Sequence, residues 1–269
     1  MNEPTEICIE DLYKAFGEHE VLRGITLDIR RGDVVAIVGG SGCGKTVLLN
    51  HVLGLLGPDQ GRVQVVDHDR EDEALCDITR LDAEELDRIH RHWGMVFQRN
   101  ALFSGSVYDN IALGLQEVRG LEEEAILPLA RAALEDVGLP SDPEFLALDH
   151  DQLSGGMAKR LAVARAIAMQ PLVLFYDEPT TGLDPVSSAQ IHDLIYQTHH
   201  ARRPGCEQVT SIIITHDKDL LGRLRPRTVM LHEGRVFFDG LFADFQASDS
   251  AIIRPYFEQM PSLHGRATP

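Results

Sequence analysis

The chain has 269 residues, a formal net charge of −17 and four cysteines, which is enough sequence for one large α/β unit or two modest domains with an ample core. The acidic balance opposes a nucleic-acid surface, which needs a basic footprint. No apolar run reaches the ~20 residues that cross a bilayer, no basic region followed by an apolar stretch opens the chain, and Cys8, Cys43, Cys76 and Cys206 lack paired metal-ligand spacing and read as reduced thiols.

In chain order, residues 7–12 and 25–29 alternate apolar and polar side chains and predict strands of an antiparallel sheet. Residues 34–38 form a short apolar run, read as a buried strand. It leads into Gly39-Gly40-Ser41-Gly42-Cys43-Gly44-Lys45-Thr46, which fits the phosphate-loop pattern GxxxxGK[ST]. Apolar residues at helical spacing follow, from Val47 to Leu53, so the loop opens a helix whose N-terminal dipole and free amides face an anion. Lys45 is expected on the β- and γ-phosphates and the Thr46 hydroxyl on Mg²⁺.

Residues 63–66 predict another strand. Residues 67–87 carry ten acids against Arg70 and Arg80, which reads as a solvated helical insertion. Roughly residues 99–160 read as helical, with 127–137 the clearest helix. Ser154 is a good N-cap for a buried helix running past Leu161 and Ala168, and Gly155 and Gly156 leave amides open to a phosphate.

Leu172-Val173-Leu174-Phe175-Tyr176 reads as a central strand delivering Asp177 and Glu178. Asp177 is expected to hold Mg²⁺ and Glu178 to orient and deprotonate an attacking water. Residues 199–208 read as a polar loop, 212–215 as an apolar strand, and 229–231 with 235–238 as a hairpin around His232-Glu233-Gly234. The histidines at 68, 90, 92, 199 and 200 lack a compact metal motif and are expected at the surface. The short tail after Asp239 offers room for dimer or partner contacts.

Once the phosphate loop and acid pair are joined to Leu153-Ser154-Gly155-Gly156-Met157, nearly the whole chain resembles the nucleotide-binding subunits of ABC ATPases. The resemblance implies an α/β, ABC-type P-loop NTPase with a RecA-like core, an antiparallel β subdomain and a helical subdomain inserted at about 99–160. The ATPase domain would span 1–245 and a short extension 246–269. It also implies roles residue by residue. Phe16 stacks on adenine, and Gly39 to Val47 surround the phosphates. Gln98 contacts Mg²⁺ or the attacking water and senses a membrane partner. Ser154, Gly155 and Gly156 meet the γ-phosphate held by a second copy of the chain. Asp184 lies in the D-loop, and His216 is the switch histidine on the γ-phosphate.

Met157, where the commonest signature has Gln, and Asn100-Ala101-Leu102-Phe103 after Gln98 resemble the ATPases of Mla-type transporters. Those work with MCE-domain proteins to move phospholipids between bacterial membranes. The implied partners are a second ATPase subunit, integral-membrane permease subunits, an MCE-domain protein and a small cytosolic regulator, with no nucleic acid. The implied cofactors are ATP and Mg²⁺, and the implied location is the cytoplasmic face of the inner membrane. An importer ATPase for an amino acid or metabolite shares the same catalytic residues, and a soluble non-transport ABC ATPase is the third reading.

Overall fold

The computed structural model describes residues 4–201 and 208–262, which fall into two compact units, residues 1–90 with 210–269 and residues 91–209. In the first unit β1 (Thr5–Phe16) and β2 (His19–Arg30) form a long antiparallel hairpin. Its inward residues Ile7, Ile9, Leu12, Leu22, Ile25, Leu27 and Ile29 are all buried; strict alternation holds from Ile7 to Ile9 and from Ile25 to Ile29, and a register shift between Ile9 and Leu12 restores the inward face. β3 (Val34–Val38) follows, and α1 (Lys45–Val52) begins directly after Gly44, its N-cap. β4 (Gln60–Val66) and β5 (Leu75–Asp77) complete the antiparallel sheet in the order β2-β1-β4-β5.

The acidic stretch is not one helix. Only α2 (Ala83–His90) forms there, because the earlier acids are used in turns and pairs. The Asp67 carboxylate accepts from Arg88 at 2.7 Å, Glu73 pairs with Arg31, and Asp77 caps a 3₁₀ turn at residues 78–80. Short acidic side chains that bond nearby backbone and cations compete with the helix.

The second unit begins with β6 (Trp93–Val96), then α3 (Val107–Glu117), α4 (Glu123–Asp136), α5 (Pro143–Leu146) and α6 (Gly155–Ala168). The helix expected at 127–137 starts four residues earlier. It runs through Pro128, and Glu123 and Glu124 complement the dipole of its first turn. β7 (Val173–Asp177) lies parallel to β6 in the register Val96↔Tyr176, and α7 (Pro185–His200) closes the unit. Because the two strands are parallel, Phe97–Gln98 and Asp177–Glu178 leave from the same edge.

The loop expected at 199–208 starts too early, because His199 and His200 are the last residues of α7; residues 202–207, Cys206 among them, lie outside the described residues, and Cys8, Cys43 and Cys76 are free thiols. His199 does not sit at the surface. It is buried near the end of α7, with its Nε2 2.9 Å from the Gln208 amide nitrogen. The next residue, His200, is exposed and stacks on Tyr196.

Burial, with His200 next to it, pulls the His199 imidazole down to about 4. Between its ordinary value near 6.5 and that figure, the unfolded chain takes up a proton that the folded chain refuses. Stability is therefore lost as the pH falls through this window. His199→Gln should remove that loss. Denaturant unfolding of both proteins at pH 7 and pH 5 should show the variant gaining on wild type by about 2 kcal/mol at the lower pH, and parallel curves would contradict a neutral buried imidazole.

The chain returns to the first unit with β8 (Thr210–Ile214), α8 (Lys218–Leu224), β9 (Arg227–His232) and β10 (Arg235–Leu241). β3 is parallel to both β8 and β9, and β9 and β10 form the expected hairpin across Glu233 and Gly234. Val35, Ala36, Ile37 and Val38 of β3 and Ile212, Ile213 and Ile214 of β8 are all buried, the continuous apolar runs of strands covered on both faces. α9 (Phe242–Gln246) and α10 (Ile253–Gln259) pack on this core rather than standing off it. Among the described residues no helix is long and apolar enough to cross a membrane.

Candidate functional site

In the first unit, the register Val38↔Met230 and Ile37↔Ile214 sets the carboxyl ends of β3, β9 and β8 side by side. Residues 39–46 leave β3 there, and His216 follows two residues after β8, so the first unit brings the loop and the histidine to one edge. Thr215, buried between them in sequence, donates its N–H toward the Ile37 carbonyl at 3.4 Å. Ligands of parallel α/β sheets bind at such carboxyl edges.

Gly39 has φ 147°, and a Cβ there would lie 2.4 Å from the Leu231 carbonyl oxygen and 2.7 Å from the Cys43 sulfur. Only glycine lets the chain turn so close to β9. Lys45 and Thr46 occupy the first turn of α1, where the helix leaves its leading amides unpaired along the chain. Lys45 Nζ donates to the carbonyls of Gly39 at 2.7 Å and Gly40 at 2.9 Å and stands 3.8 Å from Cys43 Sγ. Gly40, Ser41 and Gly42 are exposed, Cys43 and Val47 half-buried and Gly44 buried. A loop of this form can wrap an anion with amides while the ammonium reaches its outer charges.

Phe16 ends β1 with 51% of its surface exposed. Lys14 lies 5.7 Å from the ring centroid and is itself held by the Gly57 carbonyl at 2.9 Å and Asp59 at 3.0 Å. A free aromatic face at the end of a stiff hairpin is suited to stacking on a planar ring.

In the second unit, Asp177 is the last residue of β7 and Glu178 the first beyond it. Glu178 adopts φ 47°, so the strand does not continue, and the carboxylate takes a direction set by this turn rather than by the pleat. Its Oε2 accepts from the Thr181 hydroxyl at 3.3 Å. A non-glycine residue in the left-handed region costs energy that surrounding structure must supply, and such residues cluster at working sites.

Gln98 has an exposed side chain on a firmly held backbone. Lys159, 1% exposed on α6, donates its ammonium to the carbonyls of Phe97 and Gln98, both at 2.9 Å. Burial pulls this amine down to about 8, against the opposing pull of the Asp177 carboxylate. Two further side chains hold the next residues. Buried Asn110 brackets Phe103, its Oδ1 accepting from the Phe103 N–H at 2.8 Å and its amide donating to the Phe103 carbonyl at 3.0 Å. Arg165 donates to the Ala101 carbonyl at 2.9 Å and lies 5.0 Å from the Phe103 ring centroid.

Sequence reasoning missed Lys159, Asn110 and Arg165. Lys159 and Arg165 could have been found, because a basic side chain at an inward position of an otherwise apolar helix must meet acceptors. Asn110, in a helix known only roughly, gave no comparable signal.

Ser154 caps α6 as expected, its hydroxyl accepting from the Met157 N–H at 3.3 Å. Gly155 and Gly156 differ. Gly155 is exposed with only ordinary contacts, whereas a Cβ on Gly156 would lie 2.6 Å from the Ser187 hydroxyl oxygen. The second glycine therefore lets the starts of α6 and α7 approach, whereas a Cβ on the first would crowd nothing. Asp184 caps α7 by accepting from the amides of Val186 and Ser187, both at 3.0 Å. Its Ser187 hydrogen bonds, followed by that of Val186, hold the carboxyl below the usual carboxylate range.

Residues 22–181 match the family described as ABC transporter. The chloroplastic protein TRIGALACTOSYLDIACYLGLYCEROL 3 of Arabidopsis thaliana is 34% identical over 94% of this chain and 74% of its own length. The intermembrane phospholipid transport system ATP-binding protein MlaF of Haemophilus influenzae is 35% identical, covering 92% of this chain and 89% of that one. The histidine transport ATP-binding protein HisP of Pseudomonas aeruginosa is 33% identical, over 86% and 89%. Among solved structures, a dimeric ATP-binding cassette in a post-hydrolysis state with ADP and Pi superposes with a TM-score of 0.72 at 28% identity, covering 88% of this chain and 98% of that one.

Proposed function

The chain belongs to the family of ABC transporter ATP-binding subunits, with that family's fold and ATPase activity, and from this we propose that it powers phospholipid trafficking between membranes. The observation that carries the proposal is the 35% identity to the phospholipid-transport protein of Haemophilus influenzae over most of both chains. The Ser154-Gly155-Gly156-Met157 helix start and the braced segment 100–103 support it.

In this reading two copies close on ATP, each site using Lys45 of one copy and the Ser154–Gly155 helix start of the other. Thr46, Asp177 and Gln98 offer hydroxyl, carboxylate and amide oxygens, a donor set suited to Mg²⁺. The cation would neutralise phosphate charge when bound. Glu178 takes a proton from the attacking water, and Lys45 and His216 offset charge on the transferring phosphoryl group. The exposed Gln98 side chain, on a backbone held by Lys159, reports the result to a permease. The chain would sit on the cytoplasmic face of the membrane with that permease, an MCE-domain protein and a small cytosolic regulator.

A second reading, an importer ATPase for an amino acid or another metabolite, is favoured by the 33% identity to the histidine-transport protein. Purification of the tagged chain from native membranes in mild detergent, with mass spectrometry of the proteins and lipids that accompany it, separates the two. A permease with an MCE-domain protein and bound phospholipid supports the lipid reading. A permease with a solute-binding protein replaces it, and recovery without any permease overturns both.

A further inference from the structure

The C-terminal segment of the first unit folds back onto the strands that launch the phosphate loop. Phe242, Phe245, Ile253, Phe257 and Met260 are buried in one cluster with Ala36 and Val38 of β3 and with Leu221 and Met230. Polar contacts reach from this segment to the functional edge at two residues, Lys218 and Gly39. The backbone N–H of Lys218, two residues after His216, donates to the Pro261 carbonyl at 3.2 Å, and the Lys218 ammonium lies 4.1 Å from the Phe257 ring centroid. The Tyr256 hydroxyl on α10 accepts from the Gly39 N–H at 2.9 Å and donates back to the Gly39 carbonyl at 3.3 Å. That carbonyl is the one that Lys45 Nζ contacts at 2.7 Å.

We propose that Tyr256 is a positioning residue for ATP: its hydroxyl fixes the entrance of the phosphate loop and shares the Gly39 carbonyl with Lys45, so that the lysine can turn to phosphate. Gly39 is buried, and a buried backbone group that loses its donor carries the cost of desolvation. When the ammonium leaves for phosphate oxygens, the Tyr256 O–H remains on the carbonyl. Without that hydroxyl the carbonyl holds Lys45 more firmly, and the Gly39 N–H loses the acceptor that sets the loop's first bend. Binding then draws on a smaller share of competent loops, which raises the apparent dissociation constant. The Lys218–Pro261 contact ties the segment after His216 to the same brace. The inference rests on nucleotide binding at this loop and is independent of the cargo.

The test is Tyr256→Phe in the full chain, assembled with its membrane partners, reading ATP KM, kcat and the dissociation constant of a fluorescent non-hydrolysable ATP analogue. The ring keeps its packing against the buried cluster, so folding is preserved. Expected are a rise of about three- to tenfold in KM and in the analogue's dissociation constant, with kcat within about twofold. Phe245→Leu, which disturbs packing in the same cluster but makes none of these polar contacts, should lower the melting temperature and leave KM unchanged. Equal KM values for Tyr256→Phe and wild type would overturn the proposal, as would a Phe245→Leu variant that raised KM as much. A wild-type protein that bound no analogue would overturn the nucleotide-binding premise itself, and that result is seen before any substitution is made.

Discussion

Glu178→Gln is expected to bind ATP with near-normal affinity and to hydrolyse it about a hundred to ten thousand times more slowly, the range over which a positioned general base accelerates proton transfer. Glutamine preserves the shape of the side chain, and it can still meet the Thr181 hydroxyl that lies 3.3 Å from Oε2. What it cannot do is take a proton from water. In the proposed cycle two copies close before hydrolysis, so the variant should accumulate as an ATP-bound dimer. Single-turnover hydrolysis and size-exclusion chromatography with and without ATP measure both effects. Turnover at the wild-type rate would remove Glu178 from the role of base, and a variant that failed to bind ATP would show that its left-handed backbone shapes the binding site as well.

Lys159→Met should lower kcat by about ten- to a hundredfold, a size typical of small misplacements transmitted to a reacting centre. The substitution keeps the volume but leaves the Phe97 and Gln98 carbonyls without their shared donor. Stability is a poor guide here. Replacing a buried cation with an apolar side chain removes a desolvation cost as well as two hydrogen bonds, so the melting temperature can move either way. Rescue is the sharper readout. Lys159→Gln presents an amide with two N–H groups and should recover much of the lost kcat, whereas a purely volumetric role predicts equal activity for Met and Gln.

The strands and the phosphate loop were legible because each obeys a short-range rule. Alternation buried Ile25, Leu27 and Ile29, apolar continuity marked β3, β7 and β8, and glycine spacing located the bend that Gly39 makes. The acidic stretch at 67–87 misled because composition cannot distinguish a solvated helix from acids that cap turns, as Asp77 does, or pair across the fold, as Asp67 does with Arg88. His199 was misplaced because the polar stretch 199–208 read as a loop, whereas α7 continues to His200 and its rotation turns His199 inward. The brace from Tyr256 to Gly39 spans 217 positions, and no local pattern announces such a contact. The tail therefore read as spare when it packs on the strand that carries the loop.

The approach of α6 to α7 links the histories of two positions. A methyl group at 156 would lie 2.6 Å from the Ser187 oxygen and 3.0 Å from its Cβ, so Gly156→Ala alone forces the helix starts apart. The same methyl opposite a glycine at 187 would meet open space. The other order begins with Ser187→Gly, and that step removes the hydroxyl which helps Asp184 cap α7. Each order of change crosses a less fit intermediate, so the two sites should drift together or stay fixed.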